Sequence, residues 1–341
     1  MPASSDTCPL CRGDRAALPQ PISGYVDGTT FRVMRCASCD SCSADPLRAD
    51  DKVYEAIYAQ PERISGYARY AHYAATILHQ RDPLDYLITR EPCYWALVDG
   101  LRKASSTRDL DILEVGCGLG YLTYALTRAG YARTTGIDLS ATAVERARQR
   151  YGCDYRVADI VEMAADERER FDAVILSEVI EHLEDPVAFV GQLRKLLKPG
   201  GRLILTTPNR TFGGSAAQSW ATDPPPVHLW WLTEPGLAAL AQQLDMRIAF
   251  TDFTPFNRRH FRQFWKNWQR SQRRQSPRPL LKADYTPARS LPRQRGEDGG
   301  GSLRSAVERF REILYRVRFG KAARNLDLHQ SAWIGATLEN R

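Results

Sequence analysis

Long hydrophobic runs are missing from this sequence. Nowhere do the 341 residues approach the ~20 consecutive apolar residues that a bilayer-spanning helix needs. The start, Met1-Pro-Ala-Ser-Ser-Asp6, has neither the basic opening nor the apolar stretch of a secretory signal. Eight cysteines without such a signal point to reduced thiols and a cytoplasmic location, not to a disulfide framework. No internal repeat is visible, which removes solenoid and propeller architectures. A net positive charge is absent from most of the chain. The net charge is +7, yet residues 256–324 hold 19 Lys and Arg against 5 Asp and Glu, a net +14, so the remainder carries −7. Basic character therefore belongs to one late segment.

At this length the chain can hold one full α/β domain with additions. Its centre is Ile112-Leu-Glu-Val-Gly-Cys-Gly-Leu-Gly120. Apolar Leu110, Ile112, Leu113 and Val115 run into Gly116, Gly118 and Gly120, and a helix-patterned stretch, Tyr121 to Leu126, follows. A buried parallel strand that turns sharply into a helix reads this way. The glycines tolerate positive φ and let a ligand approach bare backbone, and the helix start aims unpaired N–H groups at it. Gly136-Ile-Asp-Leu-Ser140 closes a second strand with Asp138, where a carboxylate can take both hydroxyls of a ribose. Tyr155 to Asp159 ends a third strand in an acid placed to meet an adenine edge. Phe171 to Ser177 is a fourth strand, and Leu196 to Asn209 a helix end, turn and fifth strand. Met246 to Phe250 reads as a sixth strand and Ser331 to Leu338 as a seventh.

This ordered set resembles the class I S-adenosylmethionine (SAM)-dependent methyltransferases over roughly residues 108–255. The resemblance implies a Rossmann-like seven-stranded α/β sheet that binds SAM. Glu114, Gly116, Gly118 and Gly120 would hold its methionine part, Asp138 its ribose and Asp159 its adenine, with Ser177 beside the transferred methyl. Gly-x-Gly-x-Gly, in place of Gly-x-Gly-x-x-Gly, counts against a nicotinamide enzyme.

Cys8-Pro-Leu-Cys11 and Cys36-Ala-Ser-Cys39 are two C-x-x-C pairs whose four thiolates can surround a structural zinc ion. The expected ribbon spans residues 1–47, and the metal would supply the stability that so small a segment lacks. Cys42 is a surplus thiol, either a neighbour or an alternative ligand. The stretch resembles the zinc-ribbon start of many bacterial methyltransferases, with Asp40 where those often carry glycine. Residues 48–107 are expected to form a helical lid or linker, with Tyr54, Tyr58, Tyr67, Tyr70, Tyr73, Tyr86 and Tyr94 either packing between ribbon and core or binding the acceptor.

The core is expected over residues 108–255, its last strand over 329–341, and a basic helical insertion over 256–328. In that insertion Phe261, Phe264, Trp265 and Trp268 share one helix face, surrounded by Arg258, Arg259, Arg262, Lys266, Arg270, Arg273 and Arg274. Leu303, Val307, Phe310, Ile313, Leu314 and Val317 give a second amphipathic helix, and Ser276 to Ser302 reads as mobile. The aromatic face can dock on the core, or the helix can touch an anionic membrane surface peripherally, nucleic acid or an acidic acceptor.

Chemistry is expected at Ser177-Glu-Val-Ile-Glu-His-Leu183, where Glu178, Glu181 and His182 can converge if a helical turn begins at Glu178. His228 follows in a loop before a helix start. This run and the distant histidine resemble the O-methyltransferases of ubiquinone biosynthesis and the enzymes that methylate the 2′-hydroxyl at the 3′ end of small RNAs. In the latter two glutamates and two histidines hold Mg²⁺ or Mn²⁺, and the matching residues here are Glu178, Glu181, His182 and His228. A divalent ion would activate an oxygen nucleophile. The alternatives are His182 as a metal-free base or a structural role. The expected function is O-methylation of a small-molecule or sugar hydroxyl, glycan acceptors included. Three others stay open: RNA 2′-O-methylation, which lacks an obvious RNA-binding module, sugar C-methylation, and a non-catalytic SAM-binding scaffold.

Overall fold

The computed structural model describes residues 6–214, 224–272, 277–288, 302–319 and 326–340, without the side chains of 302–310. Its centre is a mixed seven-stranded sheet. The strands are β5 (Ile112–Val115), β6 (Thr134–Asp138), β7 (Asp154–Val157), β8 (Phe171–Ser177), β9 (Leu197–Pro208), β11 (Met246–Phe250) and β12 (Trp333–Asn340), in the spatial order β11-β12-β9-β8-β5-β6-β7. The pairs from β9 through β7 are parallel, while β12 runs antiparallel to both β9 and β11. The strand order reverses between β5 and β6 on one side and β8 on the other. That reversal opens a crevice beyond the carboxyl ends of β5, β6 and β8.

Local chemistry fixes the crossovers. Ser140 caps the helix Ala141–Tyr151 and Gly152 ends it in the left-handed region at φ +66°. Asp185 caps the helix Pro186–Leu196, which carries proline in its first turn. All four residues of β5 are buried, as a strand covered on both faces requires.

Three expectations about the surroundings change. The helix Pro92–Ala104 is no lid but part of the core, since a Cβ on Gly100 would stand 2.7 Å from Ile204 and one on Gly335 2.7 Å from Ala96. The helices Asp51–Ala59 and Ala68–Thr76 remain as cover for the crevice. Residues 277–288, expected to be mobile, run against the N-terminal segment. Leu281 is fully buried and bridges Val26, and the Tyr285 hydroxyl donates to Asp50. The rest of Ser276 to Ser302 lies outside the described residues, as do Arg273 and Arg274. In the helix Ser302–Phe319 the packed residues are Tyr315 and Phe319, not the expected face: Ile313, Leu314 and Val317 are exposed, and the side chains of Leu303, Val307 and Phe310 lie outside the described residues.

The aromatic face of the helix Phe261–Ser271 is docked. Phe261, Phe264 and Trp265 are buried against Phe212, and Trp265 stacks on Phe319 at 5.4 Å. Of its basic residues Lys266 is exposed, Arg262 is half-buried, and Arg270 lines the cavity described below. No helix among the described residues is long and apolar enough to cross a membrane.

The N-terminal segment forms β1 (Arg15–Ala17), β2 (Ile22–Ser23), β3 (Thr30–Cys36) and β4 (Cys42–Asp45). Its sheet does not end at residue 47. β10 (Trp230–Trp231), from the distant loop after β9, pairs antiparallel with β4, Trp230 opposite Ser43 and Trp231 opposite Cys42. Cys8, Leu10, Val33 and Cys36 share one continuous apolar cluster with Leu229, Trp230, Leu237 and Leu240, and through them with the sheet.

Candidate active site

A cavity of about 1360 Å³ opens at the crevice. It exceeds the ~300–1,000 Å³ usual for one ligand, so it has room for two molecules side by side. Glu114, Gly116, Gly118, Asp138, Asp159 and Ser177 all line it. Gly116 and Gly118 take φ of +72° and +49°, turning the backbone so that the Gly118 N–H donates to Asp138 Oδ2 at 2.9 Å. The other Asp138 oxygen accepts from the Ser140 N–H at 2.9 Å. Burial raises the Asp138 pKa and pushes that of Glu114 up to about 7, despite a hydrogen bond from the Thr123 hydroxyl. Asp159 stands beyond β7, not in it, and its Oδ1 caps the next helix by accepting from the Val161 N–H at 2.7 Å.

Gly120 is placed differently from the expectation, because it does not line the cavity. At φ +77° it sits behind the turn, where a Cβ would meet Ala147 Cβ at 2.6 Å and the Tyr155 ring at 3.0 Å. It permits close packing of helix on strand.

The second half of the cavity is built by the end of β8. No helical turn begins at Glu178. Its φ of +53° puts a non-glycine residue in the left-handed region, a conformation that costs about 1–3 kcal/mol and is typical of functional sites. A short 3₁₀ turn, Ile180–His182, follows. The consequence is a correction to the expected ligand set. Glu178 turns aside and accepts from Trp333 Nε1 at 2.6 Å, whereas Glu181, His182 and His228 bring one ligand atom each within 4.8 Å of one another. Glu181 Oε2 accepts from the Thr207 hydroxyl at 2.9 Å and its Oε1 lies 3.9 Å from His182 Nε2. His182 Nδ1 lies 2.7 Å from the Val227 carbonyl, so the contact assigns the proton to Nδ1 and leaves the Nε2 lone pair for the cavity. The His182 and His228 rings meet at 4.9 Å. Burial lowers both pKa values, that of His182 to about 4, so both rings are neutral. Two neutral imidazoles and a carboxylate suit a divalent ion with open positions. With Glu178 absent the set is richer in nitrogen than expected, which favours Mn²⁺ over Mg²⁺.

Among the cavity's other polar residues, nothing local in the sequence marks Arg69. Arg69 donates to the Tyr70 hydroxyl at 2.6 Å, lies 3.7 Å from Glu91 and holds its guanidinium 5.7 Å from the centre of the Trp333 ring. The Tyr54 hydroxyl lies 3.2 Å from His182 Nδ1. Of the expected tyrosines, Tyr54, Tyr58, Tyr67, Tyr70 and Tyr94 line the cavity, while Tyr73 and Tyr86 are buried in the packing behind it.

In the N-terminal segment Cys8, Cys11, Cys36 and Cys39 gather with all four sulfur atoms within 4.8 Å. The Cys8–Cys39 and Cys11–Cys36 separations are 3.9 and 3.4 Å, bracketing the ~3.8 Å edge of a tetrahedron with ~2.3 Å Zn–S bonds. Cys42 is outside this set, beside the guanidinium of Arg210, whose Nε stands 3.2 Å from its sulfur.

Residues 86–249 match the family model described as a methyltransferase domain. Residues 86–249 thus carry a methyltransferase domain. The chain is 43% identical over 105 residues to a ubiquinone biosynthesis O-methyltransferase of Xanthomonas oryzae pv. oryzae, covering 29% of this chain and 44% of that protein. It is 36% identical over 140 residues to a protein of the same name from Bradyrhizobium, covering 40% and 54%. The chain thus spans about half the length of these curated relatives. A SAM-dependent methyltransferase structure from Mesorhizobium loti is 14% identical, covering 74% of this chain and 99% of that one, with a TM-score of 0.44.

Proposed function

We propose that this chain is a SAM-dependent methyltransferase that transfers the methyl group to a hydroxyl of a small molecule or sugar carrying a second, adjacent oxygen. The observation that carries the reading is the convergence of Glu181, His182 and His228 at the end of β8, inside the cavity that the glycine turn also lines. In the transfer the sulfonium S–C bond breaks with its electrons going to sulfur, an O–C bond forms, S-adenosylhomocysteine leaves, and the acceptor's proton passes to solvent water. The acceptor hydroxyl is the weak partner at neutral pH. Glu181, His182 and His228 would hold a divalent ion, which would supply the Lewis acidity that lowers the hydroxyl's pKa. The chain's own groups do the rest. Thr207 and the Val227 carbonyl fix the orientations of Glu181 and His182, while Tyr70 and Trp333 wall the acceptor half. The names of the relatives, O-methyltransferases of ubiquinone biosynthesis, support oxygen as the acceptor atom.

SAM binding is proposed at Glu114, Gly116, Gly118, Asp138, Asp159 and Ser177. Asp138→Ala removes a carboxylate from the ribose hydroxyls and also frees the Gly118 N–H, so SAM affinity should fall by about 1–3 kcal/mol. Calorimetry checks this, and an unchanged dissociation constant would place the ribose elsewhere. Turnover of SAM with catechols, sugar nucleotides and RNA oligomers tests the acceptor class. Methylation of RNA alone would replace the small-molecule reading.

The four-cysteine cluster is proposed to hold one structural zinc ion. Elemental analysis of protein purified without added metal should find one zinc per chain. Four freely titratable thiols and no zinc would remove the ion from this account.

A further inference from the structure

We infer that the cysteine ribbon braces the active site from behind, through the segment that carries His228, and that the zinc ion proposed above thereby positions His228. The segment 227–233 lies between two elements. On one side it is held by the catalytic turn, where the Leu229 N–H donates to the Glu181 carbonyl at 2.8 Å and Trp230 Nε1 to the Leu183 carbonyl at 2.9 Å. On the other it is the outermost strand of the ribbon sheet. The Ala44 N–H donates to the Leu229 carbonyl at 2.8 Å, and Trp230 and Trp231 pair with Ser43 and Cys42. His228 stands immediately before this double attachment.

The ribbon grips the same segment at its far end. Thr233, fully buried, donates from its hydroxyl to the Cys39 carbonyl at 2.6 Å, and its N–H donates to Ser41 Oγ at 3.2 Å. It also caps the helix Glu234–Gln243, accepting from the Gly236 N–H at 3.1 Å. The other end of that helix reaches the first cysteine pair, with Gln243 Nε2 donating to the Pro9 carbonyl at 2.8 Å. One helix therefore bridges both C-x-x-C loops, Cys8–Cys11 by its last residue and Cys36–Cys39 by its cap. Arg210 ties the exit of β9 to the second loop, donating to Asp40 at 2.7 Å.

A segment of this size keeps its shape only if its metal holds the two loops together. The SAM half of the cavity touches none of these contacts, because the glycine turn, Asp138 and Asp159 hang from β5, β6 and β7 on the opposite side of the sheet order. Loss of the ribbon metal then frees His228 while leaving SAM binding in place. Thr233 is a positioning residue in this device.

The test uses the full chain with ¹³C-labelled histidine, zinc-loaded or zinc-depleted, together with Thr233→Val and Thr233→Ser. Four readouts are taken: zinc content, SAM affinity by calorimetry, the nuclear Overhauser contact between the His182 and His228 rings, and Mn²⁺ affinity by electron paramagnetic resonance. Zinc depletion should erase the ring contact and weaken Mn²⁺ at least about tenfold, with SAM affinity unchanged within about threefold. Thr233→Val should keep its zinc and lose the ring contact, and Thr233→Ser should restore it. A ring contact that survives both depletion and Thr233→Val overturns the inference. So does loss of SAM binding on depletion, because the ribbon would then hold the whole domain and not His228. The Mn²⁺ readout alone rests on the divalent site proposed above. If the zinc-loaded chain binds no Mn²⁺ while the ring contact responds as stated, that site fails and the positioning role stands.

Discussion

Gly120→Ala is expected to destabilise the domain by about 2–5 kcal/mol, although the change adds one methyl group and touches no ligand. Two costs combine. The residue sits at φ +77°, where an L side chain costs roughly 1–2 kcal/mol. The new Cβ would also stand 2.6 Å from Ala147 Cβ and 3.0 Å from the Tyr155 ring. Neither neighbour can swing away, since one is a methyl group attached to helix backbone and the other is a fully buried ring whose hydroxyl donates to the Gly120 carbonyl at 2.6 Å. Relief has to come from moving the helix Tyr121–Arg128 relative to β6 and β7, which drags the Gly116–Gly118 turn with it and weakens SAM. Gly152→Ala is the control. Its φ is +66°, but nothing stands within 4 Å of the added Cβ, so only the conformational cost remains, about 1–2 kcal/mol. Urea midpoints for the two variants separate the contributions. Equal losses would mean that the packing behind the turn yields freely and that Gly120 is needed for its backbone angle alone.

The parts of this protein legible in its sequence are those whose signal is local. β5, β6 and β8 are short apolar runs ending in glycine, aspartate or serine, and the seven-stranded sheet is what the family resemblance implies for them. β12 was found across a long insertion because the family resemblance implies a seventh strand and Ser331 to Leu338 is the best candidate for it. Trp230-Trp231 gave no such signal. A two-residue strand has no periodicity, and its partner lies more than 180 residues away in the ribbon, so the closure of that sheet on the core is a tertiary fact. Glu178 illustrates another limit. The spacing of Glu178, Glu181 and His182 fits convergence on a helix, and only the left-handed backbone at Glu178 separates them. Arg69 belongs to a helix expected as lid or linker, and nothing in its neighbourhood distinguishes that arginine as a residue of the cavity.

If Glu181, His182 and His228 hold a divalent ion as proposed, its removal should abolish turnover. EDTA treatment is expected to silence methyl transfer to a catechol or sugar diol, and Mn²⁺ or Mg²⁺ should restore it, because two imidazoles and one carboxylate exchange their ion far more readily than four thiolates do. His228→Ala should match the EDTA state in activity while leaving SAM affinity nearly unchanged, since the residue lies across the cavity from Asp138 and the glycine turn. Glu178→Gln offers a contrast. This residue accepts from Trp333 and stands outside the three-group set, so the variant should keep its Mn²⁺ affinity. The competing reading, His182 as a metal-free base, meets a physical obstacle. Burial holds its pKa down to about 4, so it accepts a proton reluctantly, whereas a neutral ring with its Nε2 lone pair free is what a metal ligand needs. The pH profile decides between them. If the hydroxyl is activated by the ion, the rising limb of activity should shift when Mg²⁺ is exchanged for Mn²⁺. Full activity in EDTA, with elemental analysis finding no ion beyond one zinc per chain, would sink the divalent site and leave His182 as the base.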